Sequence, residues 1–317
     1  MINTLSTILD SQKHALLYRY RAFGLNIESE VFLPELEAGE GIPDARIVLG
    51  ETPGEIPEAV VKRERYQSAP GKFLLKVPQV GAYCVTGGEQ IIVEPDPSAE
   101  AAEVRLFLLG TALGVLLMQR SVLPIHGSAL AFGKQGVIFT GLSGAGKSTL
   151  LSAFRKRGVT FLTDDITGVT TDEQGMPWIQ SGYPQQKLWR DSMECMGLDV
   201  TGCSKIMSKL DKFAIAANKE FCRTPARLAV ICELRMENRP GVALIRLAGP
   251  DKLAVLLRHT YRQSLLAGLG LKEDNFTRCA EVAKQIAVYR MLRPAEGFTV
   301  AEQTRFVEEM MTELVVG

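Results

Sequence analysis

The chain has 317 residues, of which 46% are hydrophobic and 23% charged, ordinary values for a globular protein with room for two domains or one large domain with an appendage. Lysine plus arginine and aspartate plus glutamate each total 36, a balance that argues against nucleic-acid binding and against a polybasic membrane contact. The six cysteines show neither Cys-x-x-Cys nor Cys/His zinc spacing, which points to free thiols in a reducing cytoplasm.

The chain opens on Met1-Ile-Asn-Thr, with no basic stretch leading into an apolar core, so no secretory signal is expected. Residues 1–97 carry Pro/Gly breaks at Pro53-Gly54, Pro70-Gly71, Gly87-Gly88 and Pro95-Asp-Pro97. Between them lie strand-like runs at Ala45–Leu49, Phe73–Val77, Ala82–Val85 and Gln90–Val93. This reads as a small β-rich N-terminal module, with a catalytic domain over 98–317. A helix is expected from Ser98 to about Arg120. Its apolar run, Leu106 to Met118, is shorter than the roughly 20 residues of a membrane span and reads as a buried helix packed on the nucleotide domain.

Ser128–Phe132 and Val137–Thr140 flank Gly133-Lys-Gln-Gly136, a hairpin signal. The second run leads into Gly141-Leu-Ser-Gly-Ala-Gly-Lys-Ser-Thr149, a phosphate-loop pattern. Its glycines let backbone N–H groups close around a polyphosphate. Gly141, Ser143, Gly144, Ala145, Gly146, Lys147, Ser148 and Thr149 are the expected nucleotide-binding residues. Lys147 supplies charge to the outer phosphates and Ser148 a hydroxyl to Mg²⁺. A helix from Ser148 to Lys156 adds its N-terminal dipole and stops at Gly158.

Val159–Leu162 reads as the next strand, and the paired carboxylates Asp164 and Asp165 follow. A right-handed crossover would bring them to the strand's carboxyl end beside the phosphates. One can then hold metal and the other accept a proton from an incoming hydroxyl. Ile166–Thr170 and Pro177–Ile179 read as strands around a turn at Asp172–Gly175, where a regular doubly wound fold would place helices. The fold expected is therefore α/β, with a mixed β-sheet around the phosphate loop. From Asp251 onward the pattern is mostly helical. His259 sits between Arg258 and Arg262 on an expected helix, and His14 reads as a surface residue.

His126-Gly127, the phosphate loop, Arg157-Gly158 and Asp164-Asp165 fall in an order that resembles the catalytic domain of HPr kinase/phosphorylase, a fold similar to the nucleotide domain of phosphoenolpyruvate carboxykinase. The likeness is concentrated between Pro124 and Ile166. The segment Pro225 to Leu234 looks like that family's stretch around a mobile substrate loop. Thr149 stands where those kinases carry an acidic residue, and their glutamate- and arginine-containing signature is not found. Tyr20-Arg-Ala-Phe-Gly-Leu25 and Lys187-Leu-Trp189 look instead like the HPr-kinase-like enzymes of lasso-peptide clusters, which phosphorylate the C-terminal serine of a precursor peptide. The resemblance implies an active-site role for His126, a cytoplasmic enzyme using ATP and Mg²⁺, a peptide partner with an acceptor serine, and leaves homo-oligomer formation open.

The expected reaction is in-line transfer from ATP to a hydroxyl. Lys147 holds the phosphates, Ser148 and Asp165 hold Mg²⁺, Asp164 accepts the proton, and His126 tunes it; the two aspartates could exchange roles. Arg227, Arg258 and Arg262 are the expected clamps for the peptide's terminal carboxylate, since a guanidinium binds it through two hydrogen bonds. An HPr serine kinase, a small-molecule hydroxyl kinase and a nucleotide-binding regulatory module without phosphotransfer are the alternatives.

Overall fold

The computed structural model describes residues 16–199, 203–206 and 211–316; His14 lies outside them. Two compact units emerge, one of residues 1–122 with 262–275, the other of residues 123–261 with 276–317.

In the first unit, nine strands of the described residues form one sheet: β1 (Tyr18–Ala22), β2 (Leu25–Ser29), β3 (Glu37–Ala38), β4 (Ala45–Leu49), β5 (Val61–Lys62), β6 (Tyr66–Ala69), β7 (Lys72–Val77), β8 (Gly81–Thr86) and β9 (Gln90–Pro95). Their order is β3-β1-β2-β4-β9-β8-β7-β6-β5, parallel at β2–β4 and β4–β9 and antiparallel elsewhere. The unit that holds this sheet continues past residue 97, and helix α1 (Ala101–Gln119), with a π turn at Leu108–Ala112, belongs to it and buries Val104, Leu108, Leu113 and Leu116. Tyr83 of β8 donates its hydroxyl to Val104 O at 2.9 Å. By length and composition the helix could cross a membrane, yet 67% of its apolar window is buried inside the protein. The same unit takes back a later piece of chain, the short helix α5 (Leu266–Leu269), against β6. A Cβ on Gly268 would stand 2.0 Å from Ser68 Oγ, so only glycine permits that approach.

The second unit holds α2 (Lys147–Lys156), α3 (Arg190–Cys195), α4 (Pro250–His259), α6 (Lys272–Gln285, whose first turn belongs to the first unit) and α7 (Val300–Val316). Its main sheet is built from β10 (Leu123–Phe132), β11 (Gln135–Gly141), β12 (Thr160–Thr163), β13 (Ile166–Thr171), β14 (Pro177–Ile179), β18 (Ala226–Glu237), β19 (Ala243–Leu247) and β20 (Ala287–Pro294). A separate three-stranded sheet has the order β15 (Gln185–Trp189), β17 (Lys212–Ala216), β16 (Ser204–Lys205). The expected hairpin is present: β10 and β11 pair antiparallel up to Phe132↔Gln135, with Gly133 in the left-handed region. The sheet is mixed as expected, with β11–β18 and β18–β20 parallel.

Three features of the topology stand out. First, β11 and β12 lie in one sheet, near each other but not adjacent. Both run antiparallel to β10, on its two sides, so they are parallel to each other with one strand between. Second, pairings close on themselves around β11-β10-β13-β14-β18 and back to β11, which curls the sheet around a core that includes Ile125, Ile138, Leu162, Ile179, Ile231 and Val255. Third, the C-terminal part is not only helical: β20 enters the sheet beside β18. The stretch Pro225 to Leu234, likened to a mobile loop, runs into the twelve-residue strand β18 with Val230, Ile231 and Cys232 at 1% exposure or less.

On the other face, Phe139, Leu150, Phe154, Val230, Met291 and Val307 pack beneath α2 and α7. Within β18, opposite Arg290 of β20, sits Glu233, 2% exposed. Its Oε1 accepts from Arg258 at 2.8 Å and from His259 at 2.9 Å, and its Oε2 from Arg290 Nε at 2.6 Å. Two strands and the end of α4 are thus tied to one carboxylate.

Burial pushes the Glu233 pKa up, but His259, Arg290 and Arg258 outweigh it and hold it at about 2, below the ordinary 4.5. A carboxylate depressed in this way contributes stability above pH 4.5 that is lost as pH falls towards 2. Glu233→Gln is expected to cost about 1–3 kcal/mol at pH 7, because it takes the charged partner from the part-buried Arg290 and a hydrogen-bond partner from the buried His259. Urea unfolding across this range should show a smaller acid loss in the variant than in wild type; parallel profiles would mean that Glu233 is not depressed.

Candidate active site

Strand β11 delivers the chain to Gly141, which has a φ of +146° and leaves no room for a side chain, since a Cβ there would stand 2.5 Å from Leu234 O. The loop then turns through Gly144 and Gly146, at φ +81° and +101°, and opens α2 at Lys147. No side chain caps this helix, so the N–H groups of its first turn are donors awaiting an acceptor. With the helix dipole they form an anion site. Lys147 is buried, and its ammonium donates to Gly141 O at 2.8 Å and Leu142 O at 3.1 Å. Burial lowers its pKa, the Lys212 charge adds to that, and Asp164 and Asp165 oppose it. Arg293 of β20, which the sequence did not single out, donates to Ala145 O at 2.9 Å and Gly144 O at 3.1 Å. It ties the loop to the sheet.

Strands β12 and β13 are one line of chain along β10, interrupted by Asp164-Asp165 opposite Gly127 and Ser128. The two residues form a bend, which turns side chains away from the regular alternation. Asp165 takes a φ of +81°, and its carbonyl accepts from Gly127 N–H at 3.2 Å and from His126 Nδ1 at 3.1 Å. A carbonyl can only accept, so Nδ1 carries the proton in that bond. The lone pair of the neutral ring is then on Nε2.

Asp164 is buried and points its carboxylate at three donors. Ser128 Oγ reaches Oδ1 at 2.5 Å, Ser148 Oγ reaches Oδ1 at 3.0 Å, and the Lys187 N–H reaches Oδ2 at 2.9 Å. Asp165 faces elsewhere. Its Oδ2 lies 3.0 Å from Lys187 Nζ and its Oδ1 3.6 Å from His126 Nδ1. Burial raises its pKa, but Lys187, His126 and Lys212 outweigh that and hold it down. Burial works against the Lys187 charge; Tyr183 and Asp165 more than compensate, so its pKa rises.

The three-stranded sheet forms another wall of the cleft. Gln186 donates to Ser148 O at 2.6 Å, and Thr149 Oγ1 to Ser192 Oγ at 3.1 Å. Trp189, Ser192 and Lys212 line the cleft from this side.

The structure brings most of the expected residues together. Ser143, Gly144, Gly146, Lys147, Ser148 and Thr149 line one cleft, and His126, Asp164 and Asp165 line it with them. Gly141 and Ala145 sit behind the loop, with Ala145 in the core. Ser148 Oγ lies on Asp164 rather than on Asp165, the arrangement in which the two aspartates exchange the roles first set for them. The three arginines do not gather. Arg227 pairs with Gln135 at the start of β11, about 20 Å along the strands from Gly141. Arg258 is engaged with Glu233. Helix α4 ends at His259, so Arg262 shares no helix face with Arg258; it belongs to the other unit. His259 is buried on Glu233 rather than on a solvated face. Ser128, Lys212 and Arg293 escaped the sequence reading, and Lys187 entered it only as part of a family likeness, with no role in the site. Only the strand position of Ser128, two residues beyond His126 and so on its side of β10, could have hinted at a role.

No protein-family model matches the chain, and no curated protein matches it. Among solved structures, one similar to it is described as the Hpr(Ser) kinase/phosphatase from Coxiella burnetii, at 13% identity and a TM-score of 0.31. The match covers 60% of this chain and 97% of the other.

The His126 pKa is lowered below 6.5, first by burial and next by the Lys147 charge, while Asp165 and Asp164 act the other way. Lys147→Met should therefore raise it and Asp165→Asn should lower it. Titration of the imidazole by NMR gives the sign directly; a fall on Lys147→Met would contradict this electrostatic picture.

Proposed function

We propose that the protein is a kinase that transfers the terminal phosphoryl group of a nucleoside triphosphate, ATP, to a hydroxyl. The observation that carries this reading is the convergence of Ser148 and Asp164, 3.0 Å apart, with the uncapped start of α2, and of Asp165 and His126 beside them. A loop of backbone donors and Lys147 suits a polyphosphate. A nucleotide-binding module without transfer would have no use for a second carboxylate and a neutral imidazole at the same cleft.

The donor set fits Mg²⁺. Ser148 Oγ and Asp164 Oδ1 are hard oxygen atoms already gathered at one point. Among the described residues no group of three or more His, Cys, Asp or Glu could hold an ion. This suits an ion that takes one or two protein oxygens and completes its shell with phosphates and water. When bound, Mg²⁺ would neutralise charge on the phosphates.

The acceptor oxygen forms a bond to the terminal phosphorus as the bond to the bridging oxygen breaks, and the nucleoside diphosphate leaves. The acceptor proton passes to the Asp165–His126 pair. Asp164 is the less suited to that step, because it lies on Ser148, the hydroxyl that would face the metal. Lys187 keeps Asp165 ionised and fixed, and the Asp165 carbonyl sets the His126 tautomer. Positioning and electrostatics carry the rest. The acceptor we propose is a serine of a peptide, and specifically the C-terminal serine of a lasso precursor. It is supported by the sequence likeness at Tyr20–Leu25 and Lys187–Trp189; an HPr serine or a small-molecule hydroxyl is the alternative acceptor.

Kinase assays with labelled ATP and a panel of serine-ended peptides test the reading. Lys147→Ala should abolish transfer in a folded protein. Asp165→Asn should lower kcat by about a hundred- to ten-thousand-fold with nucleotide binding retained. Asp164→Asn should chiefly raise the Mg²⁺ concentration needed. Wild-type turnover in Lys147→Ala, or unchanged rates in both aspartate variants, would overturn the mechanism.

A further inference from the structure

The three-stranded sheet carries a cationic side chain that the phosphate loop does not explain. β15 and β17 pair antiparallel with Trp189 directly opposite Lys212 and Lys187 opposite Ala214. Residues opposite each other, and residues two apart, share a face. Lys187, Trp189 and Lys212 therefore share one side of this sheet. The other side is apolar, with Leu188, Phe213 and Met193 packed together. The two lysines have different situations. Lys187 is spoken for by Asp165 at 3.0 Å. Lys212 has no carboxylate within ion-pair distance among the described residues. Its ammonium instead lies 5.6 Å from the centre of the Trp189 ring, and both side chains line the cleft. Trp189 keeps 38% of its surface exposed there. The Lys212 charge is near enough to lower the pKa of both Lys147 and Asp165.

An unpaired ammonium lodged on an indole face at the mouth of an anion site is available to a ligand. A cation–π contact of this kind contributes only about 0.5–1 kcal/mol at an exposed position, less than a charged hydrogen bond to a phosphate. Trp189 can thus hold the side chain in place and release it when a stronger partner arrives. The charges near Lys212 are those of Lys147, which reaches outer phosphates, and of Asp165, on the side of the acceptor.

We propose that Lys212 is a second phosphate-binding lysine, which leaves Trp189 to engage the terminal phosphoryl group of the bound triphosphate and so separates triphosphate from diphosphate. This rests on the kinase reading above and names a specificity-determining residue within it. Charge delivered from a separate sheet also completes the site only when that sheet is seated on the loop, through Gln186 on Ser148 O and Thr149 on Ser192.

The test is calorimetric titration of the whole chain, with Mg²⁺, using the non-hydrolysable imido analogue of ATP and, separately, ADP. Wild type, Lys212→Met and Lys212→Arg are compared. Lys212→Met should weaken the triphosphate analogue about ten- to a hundredfold and leave ADP within about twofold; Lys212→Arg should restore most of the loss. Trp189 supplies a second readout in a Trp178→Phe background, where it is the sole tryptophan. The triphosphate analogue should change its emission, and Lys212→Met should abolish that change. Wild-type affinity for both nucleotides in Lys212→Met would overturn the proposal while leaving the kinase reading intact, as would an equal loss for both, which would place Lys212 on the inner phosphates. Failure of wild type to bind either nucleotide would sink the kinase reading and this proposal with it.

Discussion

The carboxylate of Asp164 is the joint on which the cleft depends. Ser128 belongs to the strand that leads into the hairpin, Ser148 to the first turn of α2, and Lys187 to the separate three-stranded sheet. Each gives one hydrogen bond to the same buried group. Burying a carboxylate without partners is expensive, so the three donors must be in place together. The bond network therefore couples the position of the phosphate loop to that of the wall opposite it. Here the loop's Ser148 hydroxyl and the Asp164 carboxylate are also oriented against each other before any ligand arrives.

Charge is distributed around that joint unevenly. Lys147, Lys187 and Lys212 stand against Asp164 and Asp165, and His126 is pushed towards its neutral form. The excess positive charge suits a polyanion. The cations differ in what they can do. Lys187 is only 8% exposed and committed to Asp165. Lys147 rests on carbonyls of the loop that it serves. These are three ways of storing an ammonium in a protein, ordered by how readily a phosphate could draw it away: an ion pair least, loop carbonyls more, an indole face most.

Much of this was legible in the sequence where the determinants are local. The hairpin at Gly133, the loop from Gly141, the stop at Gly158 and the turn at Asp172–Gly175 each need particular backbone angles or apolar alternation within a few residues. What failed to show were pairings between distant segments. Nothing near Ala287–Pro294 announces that β20 will lie beside β18, and nothing in Pro177–Ile179 announces that β14 will close the ring. The arginines failed for the same reason. Arg258 and Arg262 read as neighbours only if the helix continues, and Glu233, which captures Arg258, is 25 residues away in sequence. The roles of the two aspartates were undecidable from order alone, because a bend between two strands presents them.

That bend explains a conformation otherwise hard to justify. Asp165 sits at φ +81°, a region that a non-glycine residue enters at a cost of order 1 kcal/mol or more. Glycine would remove the strain and lose the carboxylate. Regular strand geometry would keep the carboxylate but send Asp164 and Asp165 to opposite faces of the sheet, one of them into the core beneath α4. The observed turn does neither. It aims the Asp165 carbonyl at Gly127 N–H and the His126 ring, so two hydrogen bonds offset the strain, and it leaves both carboxylates on the cleft side. The residue that strains the backbone is thus the one whose main chain and side chain both face the His126 ring, and this is why an aspartate, rather than glycine, occupies a left-handed position here.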